Sequence, residues 1–250
     1  MAKETIFTFE EYGEETADVL LLFSPFVPFN NLAVNDFFYN STIKYKKVYT
    51  NFSAKIKPDE NTYTYDNILY SFTEYIKTQK QKTIFIIGFG IFANLFTRIA
   101  KIMGSRITSL ILIEPDFGNS VLQKLFEADK QPVQRKKYFA EVFTKDFDVP
   151  KPKKFMASHY FKHIKAINTS LREYLPQKVS LKEILEVKEI TLIMWHLMEK
   201  DLWPLPQILQ EDYGIKTISA HNNIISDMIV SDRQILMLVN DYITEKLNNL

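Results

Sequence analysis

The segment KTIFIIGFGIF, residues 82–92, limits the possible folds of this chain more than any other segment. Its four consecutive apolar residues, Ile84 to Ile87, are typical of a short parallel strand that is buried on both faces of a sheet. Two glycines follow at positions 88 and 90, and the apolar pattern then predicts a helix over Ala93–Met103, which Gly104 ends. A buried strand that turns sharply into a helix is a unit of α/β folds.

Strands and helices alternate along most of the chain. Helical spacing of apolar residues predicts helices at Thr64–Lys77 and Ser231–Leu247. Short apolar or alternating runs predict strands at Thr5–Phe9, Asp18–Phe23, Tyr45–Phe52, Ile107–Ile113, Ile190–Trp195 and Lys216–Ser219. We therefore predict the α/β fold class, with a mainly parallel sheet covered by helices on both faces. Ligands of such sheets gather at the carboxyl ends of the strands.

Residues 117–188 interrupt this alternation. They contain 15 Lys and Arg against 8 Asp and Glu, a net charge of +7, whereas the rest of the chain has 16 against 22, a net charge of −6. Helical patterns inside the segment predict a lid over the carboxyl ends of the strands. We expect one α/β core, residues 1–116 and 189–250, and a helical lid insertion at 117–188, with predicted helices at Val121–Ala128, Phe155–Leu175 and Ser180–Leu185.

Composition excludes several classes of function. Because the chain has no Cys, it has neither disulfides nor thiolate chemistry. His159 and His163 have no third metal ligand at a suitable spacing, so we predict no metal, and we also predict no cofactor. The net charge of +1 gives no reason to expect nucleic acid as a partner. No run approaches the roughly 18 apolar residues of a membrane span, and the N-terminus lacks the pattern of a signal peptide, so we expect a cytoplasmic protein.

Four segments stand in this order along the chain: TADVLLLFSPF, IIGFGIF, ITLIMWHLMEKDLWP and YGIKTISAHNNIISD. Together they resemble the α/β-hydrolase superfamily, in the branch with a helical cap. TADVLLLFSPF is similar to the strand that leads to the oxyanion loop, and IIGFGIF aligns with the nucleophile motif G-x-S-x-G. ITLIMWHLMEKDLWP resembles the strand and loop of the catalytic acid, and YGIKTISAHNNIISD those of the catalytic histidine. The resemblance covers nearly the whole chain. It implies the α/β-hydrolase fold, with Gly90 at the nucleophile position, Asp201 as the acid and His221 as the base.

The aligned segments depart from the family where acyl transfer needs them most. Gly90 provides no oxygen or sulfur nucleophile, and the second glycine of the motif is replaced by Phe92. In the oxyanion loop, Ser24 stands at the glycine of the family's His-Gly pair, and Pro25 follows where the family draws an N–H donor. Because proline has no N–H, this alignment predicts the loss of one oxyanion donor, about 3 kcal/mol of transition-state stabilisation. We expect Phe92 to distort the turn as well.

Two functions of different classes remain open. The first is a non-catalytic pseudo-hydrolase that binds a small apolar ligand or a protein partner. Its pocket is predicted from the apolar loop FSPFVPF, which contains Phe26, and from a floor that includes Gly90, Ile91 and His221. The second is an active ester or thioester hydrolase, or another His-dependent catalyst, in which Asp201 orients His221 and the imidazole activates water. We favour the first because the nucleophile and an oxyanion donor are both missing.

Overall fold

The computed structural model describes residues 6–25, 43–53, 64–89, 91–113, 115, 181–195, 204–219 and 232–250. These residues form a seven-stranded sheet with helices packed against it. Its strands are β1 Phe7–Gly13, β2 Val19–Phe23, β3 Tyr45–Phe52, β4 Thr83–Phe89, β5 Ser109–Ile113, β6 Thr191–Trp195 and β7 Lys216–Ser219. The helices are α1 Tyr65–Thr78, α2 Ile91–Met103, α3 Leu181–Leu185, α4 Pro204–Glu211 and α5 Asp232–Asn248, with 3₁₀ turns at Gly104–Arg106 and Lys188–Ile190.

The sheet is mainly parallel, as the alternation of strands and helices predicts. Its order is β1-β3-β2-β4-β5-β6-β7. Only β1 is antiparallel to its neighbour among the described strands, and it lies at an edge of the sheet beside β3. The central strands β2 and β5, VLLLF and SLILI, are buried at every position, because helices cover both faces of a parallel sheet.

Helices cover the two faces of the sheet with separate apolar clusters. On one face, α1 and α2 contribute Ile68, Phe72, Phe96 and Ile99, all fully buried. We call this face the α1/α2 face. On the opposite face, α5 packs Val239, Tyr242 and Ile243 against residues of β4, β5 and β6. The predicted fold class is confirmed, and the carboxyl ends of the six parallel strands lie at one edge of the sheet.

Local signals in the sequence place two helix ends correctly. Thr64 caps α1, with its side-chain oxygen accepting a hydrogen bond from the Asn67 N–H at 3.2 Å. Gly104 follows α2 with a φ of +53°, a backbone conformation that glycine adopts without strain.

The predicted secondary structure needs two corrections. The first strand runs over Phe7–Gly13 instead of Thr5–Phe9, because antiparallel pairing with β3 continues past the apolar residues to Gly13, opposite Lys46. Helix α4 was not predicted at all. It begins at Pro204 and also contains Pro206, and proline is compatible with the first turn of a helix, where no N–H is needed for an intrahelical hydrogen bond.

The predicted lid falls mostly outside the described residues. Its helices Val121–Ala128 and Phe155–Leu175 lie there, so the division at 117–188 stays a prediction. The last helix of that segment, α3, packs on α2: Ile184 is fully buried, and Arg98 Nε lies 2.7 Å from the Glu183 carboxylate. Lys101 and Glu186 form a second ion pair between the two helices.

In the part of the chain that the structure describes, no helix is long and apolar enough to cross a membrane.

Candidate functional site

The candidate site lies at the junction of β4 and α2. The strand ends at Phe89 and the helix begins at Ile91, so a single residue, Gly90, stands between them. Strand and helix approach closely just beside it. A Cβ atom on Gly88 would lie 2.8 Å from the Cα of Ala93, which is closer than real Cβ contacts. Glycine at position 88 therefore makes this sharp strand-to-helix connection possible.

Phe92 does not distort this connection, contrary to the expectation from the motif. Its side chain is fully buried on the α1/α2 face. The ring packs edge-on against Phe7 and Phe72, with centroid distances of 6.2 and 6.4 Å. Because the close approach of strand and helix occurs between Gly88 and Ala93, a large side chain at position 92 is accommodated without moving the helix away from the strand.

The end of β2 lies beside β4, next to this junction. Their register pairs Phe23 with Ile87, and the Ser24 N–H donates a hydrogen bond to the Ile87 carbonyl oxygen at 2.9 Å. Pro25 follows and is buried. The Ser24 N–H is thus engaged in the sheet, and Pro25 has no N–H. Neither backbone position has a spare N–H for an oxyanion.

The two strands that precede the predicted acid and histidine end at the same edge of the sheet. Trp195, the last residue of β6, pairs with Ser219, the last residue of β7. Asp201 and His221 follow these strand ends in the sequence and, like Gly90 and Phe26, lie outside the described residues. Their roles therefore stay predictions. Ile91 is the first residue of α2, and its place in a pocket floor stays a prediction as well.

The surroundings of the strand ends are apolar and aromatic. The ring of Tyr49 stacks on Phe23 with a centroid distance of 5.1 Å, and burial raises the pKa of the Tyr49 phenol far above its usual range. Within the described ranges, no group of three or more His, Asp or Glu side chains could hold a metal ion.

One polar residue near the strand ends was missed by sequence reasoning. Thr50, close to the carboxyl end of β3, is buried, and its hydroxyl has no hydrogen-bond partner among the described residues. In the sequence it belongs to the alternating segment YKKVYTNF, which predicts a strand but not the environment of each side chain. Strand register and the packing of helices decide that environment.

Comparison with known proteins identifies the fold. No protein-family model matches the sequence, and no curated protein matches it. Solved structures do match. A carboxylesterase structure from the thaumarchaeon Nitrososphaera gargenis matches with a TM-score of 0.66 and 11% identity, over 98% of this chain and 96% of that one.

Two further matches point to the same fold. An α/β-hydrolase enzyme from a Medee basin deep-sea metagenome library matches with a TM-score of 0.67 and 15% identity, over 95% of this chain and 94% of that one. An esterase from Exiguobacterium antarcticum has a TM-score of 0.61 and 14% identity, over 95% of both chains. At such low identities the likeness shows the fold alone, which is the α/β-hydrolase fold.

Proposed function

We propose that this chain, which has the α/β-hydrolase fold, is a pseudo-hydrolase that binds a small apolar ligand without hydrolysing it. The observation that carries the proposal is the glycine at position 90, the single residue between β4 and α2. In enzymes of this fold the nucleophile stands at this turn. A hydrogen atom in place of a side chain cannot form an acyl-enzyme intermediate.

The end of β2 supports the same proposal independently. The hydrogen bond from Ser24 N–H to Ile87 oxygen and the missing N–H of Pro25 leave two consecutive positions without an oxyanion donor. Loss of one such donor costs about 3–4 kcal/mol of transition-state stabilisation. A chain that lacks both the nucleophile and a donor keeps little of the acyl-transfer mechanism. We infer that the turn and the loop after β2 are retained to bind a guest.

The apolar character of the guest follows from the residues around the strand ends. Phe23 is the last residue of β2, and its ring stacks on Tyr49 of the neighbouring strand β3. The segment after them, FVPF, continues the apolar pattern, and the proposed lid at 117–188 would close over it. An uncharged guest loses little on leaving water for such a site, whereas a charged one would need a counter-charge. In the other form of this proposal, the basic surface of the lid binds a protein partner.

A second function rests on the retained pair Asp201 and His221. Both residues stand in family order after β6 and β7, so His221 could act as a general base on a water molecule. This function requires no side chain at position 90. It predicts hydrolysis of esters or thioesters that disappears in a His221→Ala variant.

Two measurements separate these functions. The pseudo-hydrolase should form no adduct with a fluorophosphonate probe, and it should hydrolyse p-nitrophenyl butyrate no faster than His221→Ala does. A thermal-shift screen of uncharged aromatic and medium-chain compounds should raise its melting temperature. Turnover that falls by about 10²–10⁴-fold in His221→Ala, with the fold intact by circular dichroism, would replace the pseudo-hydrolase with the water-using enzyme. A covalent adduct on any serine would contradict both functions.

A further inference from the structure

Thr50 lies in a row of residues that crosses the sheet beside the turn at position 90. The register of β2 with β3 pairs Phe23 with Tyr49, and the register of β2 with β4 pairs Phe23 with Ile87. One residue further on, the row therefore runs from Thr50 through Ser24 to Gly88. Gly88 is the residue that touches Ala93 at the start of α2. Thr50 is thus two strands away from the candidate site, at the same end of the sheet.

The side chain of Thr50 faces the apolar cluster of α1 and α2. Side chains alternate along a strand: Val48 belongs to this cluster, and Tyr49 belongs to the cluster on the opposite face. The partner of Thr50 on β1 is Phe9, whose ring also packs against the α1/α2 cluster. The Thr50 hydroxyl therefore lies in apolar surroundings, which would favour a valine of the same shape over threonine.

The hydroxyl of Thr50 differs from those of the other buried threonines in the described part of the chain. Thr73, Thr97 and Thr191 each donate to a backbone carbonyl of the described chain, at 2.8, 3.1 and 2.7 Å. Thr50 is only 4% exposed, and its Oγ1 has no such partner in the described residues. A buried hydroxyl without a hydrogen bond lowers stability, so its presence calls for a partner from outside the described fold.

We propose that the Thr50 hydroxyl is a polar subsite, which donates a hydrogen bond to one uncharged oxygen of the bound guest. The inference rests on the proposed function, because it assumes that a guest binds at the carboxyl ends of the strands. Strands β1 and β2 flank Thr50 within the sheet. Its side chain lies on the opposite face of the sheet from Phe23 and Tyr49. The inference therefore requires the guest oxygen to enter at the carboxyl ends on the α1/α2 face. The ligand class is an apolar compound with one carbonyl group, such as a ketone or an uncharged ester. A carboxylate does not fit, since Phe9 and Val48 offer it no counter-charge.

Acetophenone and ethylbenzene test this inference, because they have nearly the same shape and only acetophenone has an acceptor oxygen. Binding of each to the full chain would be measured by titration calorimetry or saturation-transfer NMR, for the wild type, Thr50→Val and the control Thr191→Val. We expect Thr50→Val to weaken acetophenone binding by about threefold to tenfold, the range of one hydrogen bond, and to leave ethylbenzene binding within about twofold. Thr191→Val should change neither.

Melting temperatures of the free proteins provide the second measurement. Thr191→Val breaks the bond to the Val187 carbonyl and should lower the melting temperature. Thr50→Val should leave it unchanged or raise it, because an unbonded hydroxyl is removed. A decrease in Thr50→Val as large as that in Thr191→Val would overturn the inference, since the hydroxyl would then be bonded without a guest.

The remaining outcomes distinguish this inference from the proposed function. Acetophenone binding that is equal in the wild type and Thr50→Val would overturn the subsite and leave the ligand-binding function standing. Failure of both compounds to bind the wild type would overturn the subsite together with that function.

Discussion

Phe92→Gly restores the second glycine of the family motif, and the structure predicts that it severely destabilises the protein. The ring of Phe92 is fully buried between Phe7 and Phe72. Truncating a buried phenylalanine costs about 3–5 kcal/mol, and glycine within a helix costs up to about 1 kcal/mol more than alanine. We therefore expect the free energy of unfolding to fall by about 4–6 kcal/mol, a large part of the stability of an ordinary domain.

Urea unfolding followed by far-ultraviolet circular dichroism measures this loss. Ile102→Gly is the matched control, because Ile102 lies on the same helix and is 59% exposed. This control should lose only about 0.5–1 kcal/mol, mostly through helix propensity. If Phe92→Gly lost no more than Ile102→Gly, or stabilised the protein, the ring would not be part of the core. The view that Phe92 distorts the turn would then be restored.

Three further predictions concern catalysis, pH and the lid. Gly90→Ser should not give the ester turnover of ordinary family members, because the oxyanion donor after β2 is still missing. Rapid p-nitrophenyl butyrate hydrolysis by this variant would show that Ser24 and Pro25 do not stand at the oxyanion positions. Partial burial raises the pKa of the Glu11 carboxyl, but hydrogen bonds from Tyr75 and Lys46 outweigh this and leave the pKa lowered. A carboxyl with a lowered pKa in the folded state stabilises the fold above its unfolded-state pKa, and this contribution is lost as the pH falls. The melting temperature should therefore drop less between about pH 6 and pH 3 in Glu11→Gln than in the wild type. Limited trypsin digestion should cut first within residues 117–188, at their basic runs, and a first cut in the sheet core would contradict the lid.

The candidate site was predictable where it depends on the chemistry of one residue. Glycine at position 90 lacks a nucleophile in any fold, and Pro25 lacks an N–H wherever it lies. The order of the four family-like segments also sufficed to predict the α/β-hydrolase fold. Asp201 and His221 are assigned by that order alone, and they stay predictions.

The fold was predictable where short-range patterns specify it. The apolar run Ile84–Ile87 specifies β4, and Thr64 and Gly104 mark helix ends through hydrogen bonding and backbone conformation within a few residues. Helix α4 was not predicted; Pro204 and Pro206 lie in its first turn, where proline costs no intrahelical hydrogen bond.

Only the tertiary structure decided which way the side chains near the site face and what they meet. Phe92 turned out to be part of the core because Phe7 and Phe72, distant in sequence, surround it. The Ser24 N–H is engaged because β2 pairs with β4, more than sixty residues further along the chain. The buried hydroxyl of Thr50 has no hydrogen-bond partner among the described residues because β1 and β2 flank its strand and α1 helps to cover that face. Residue types and their spacing specify local conformation, whereas contacts between distant segments depend on sheet register and packing, which no local pattern encodes.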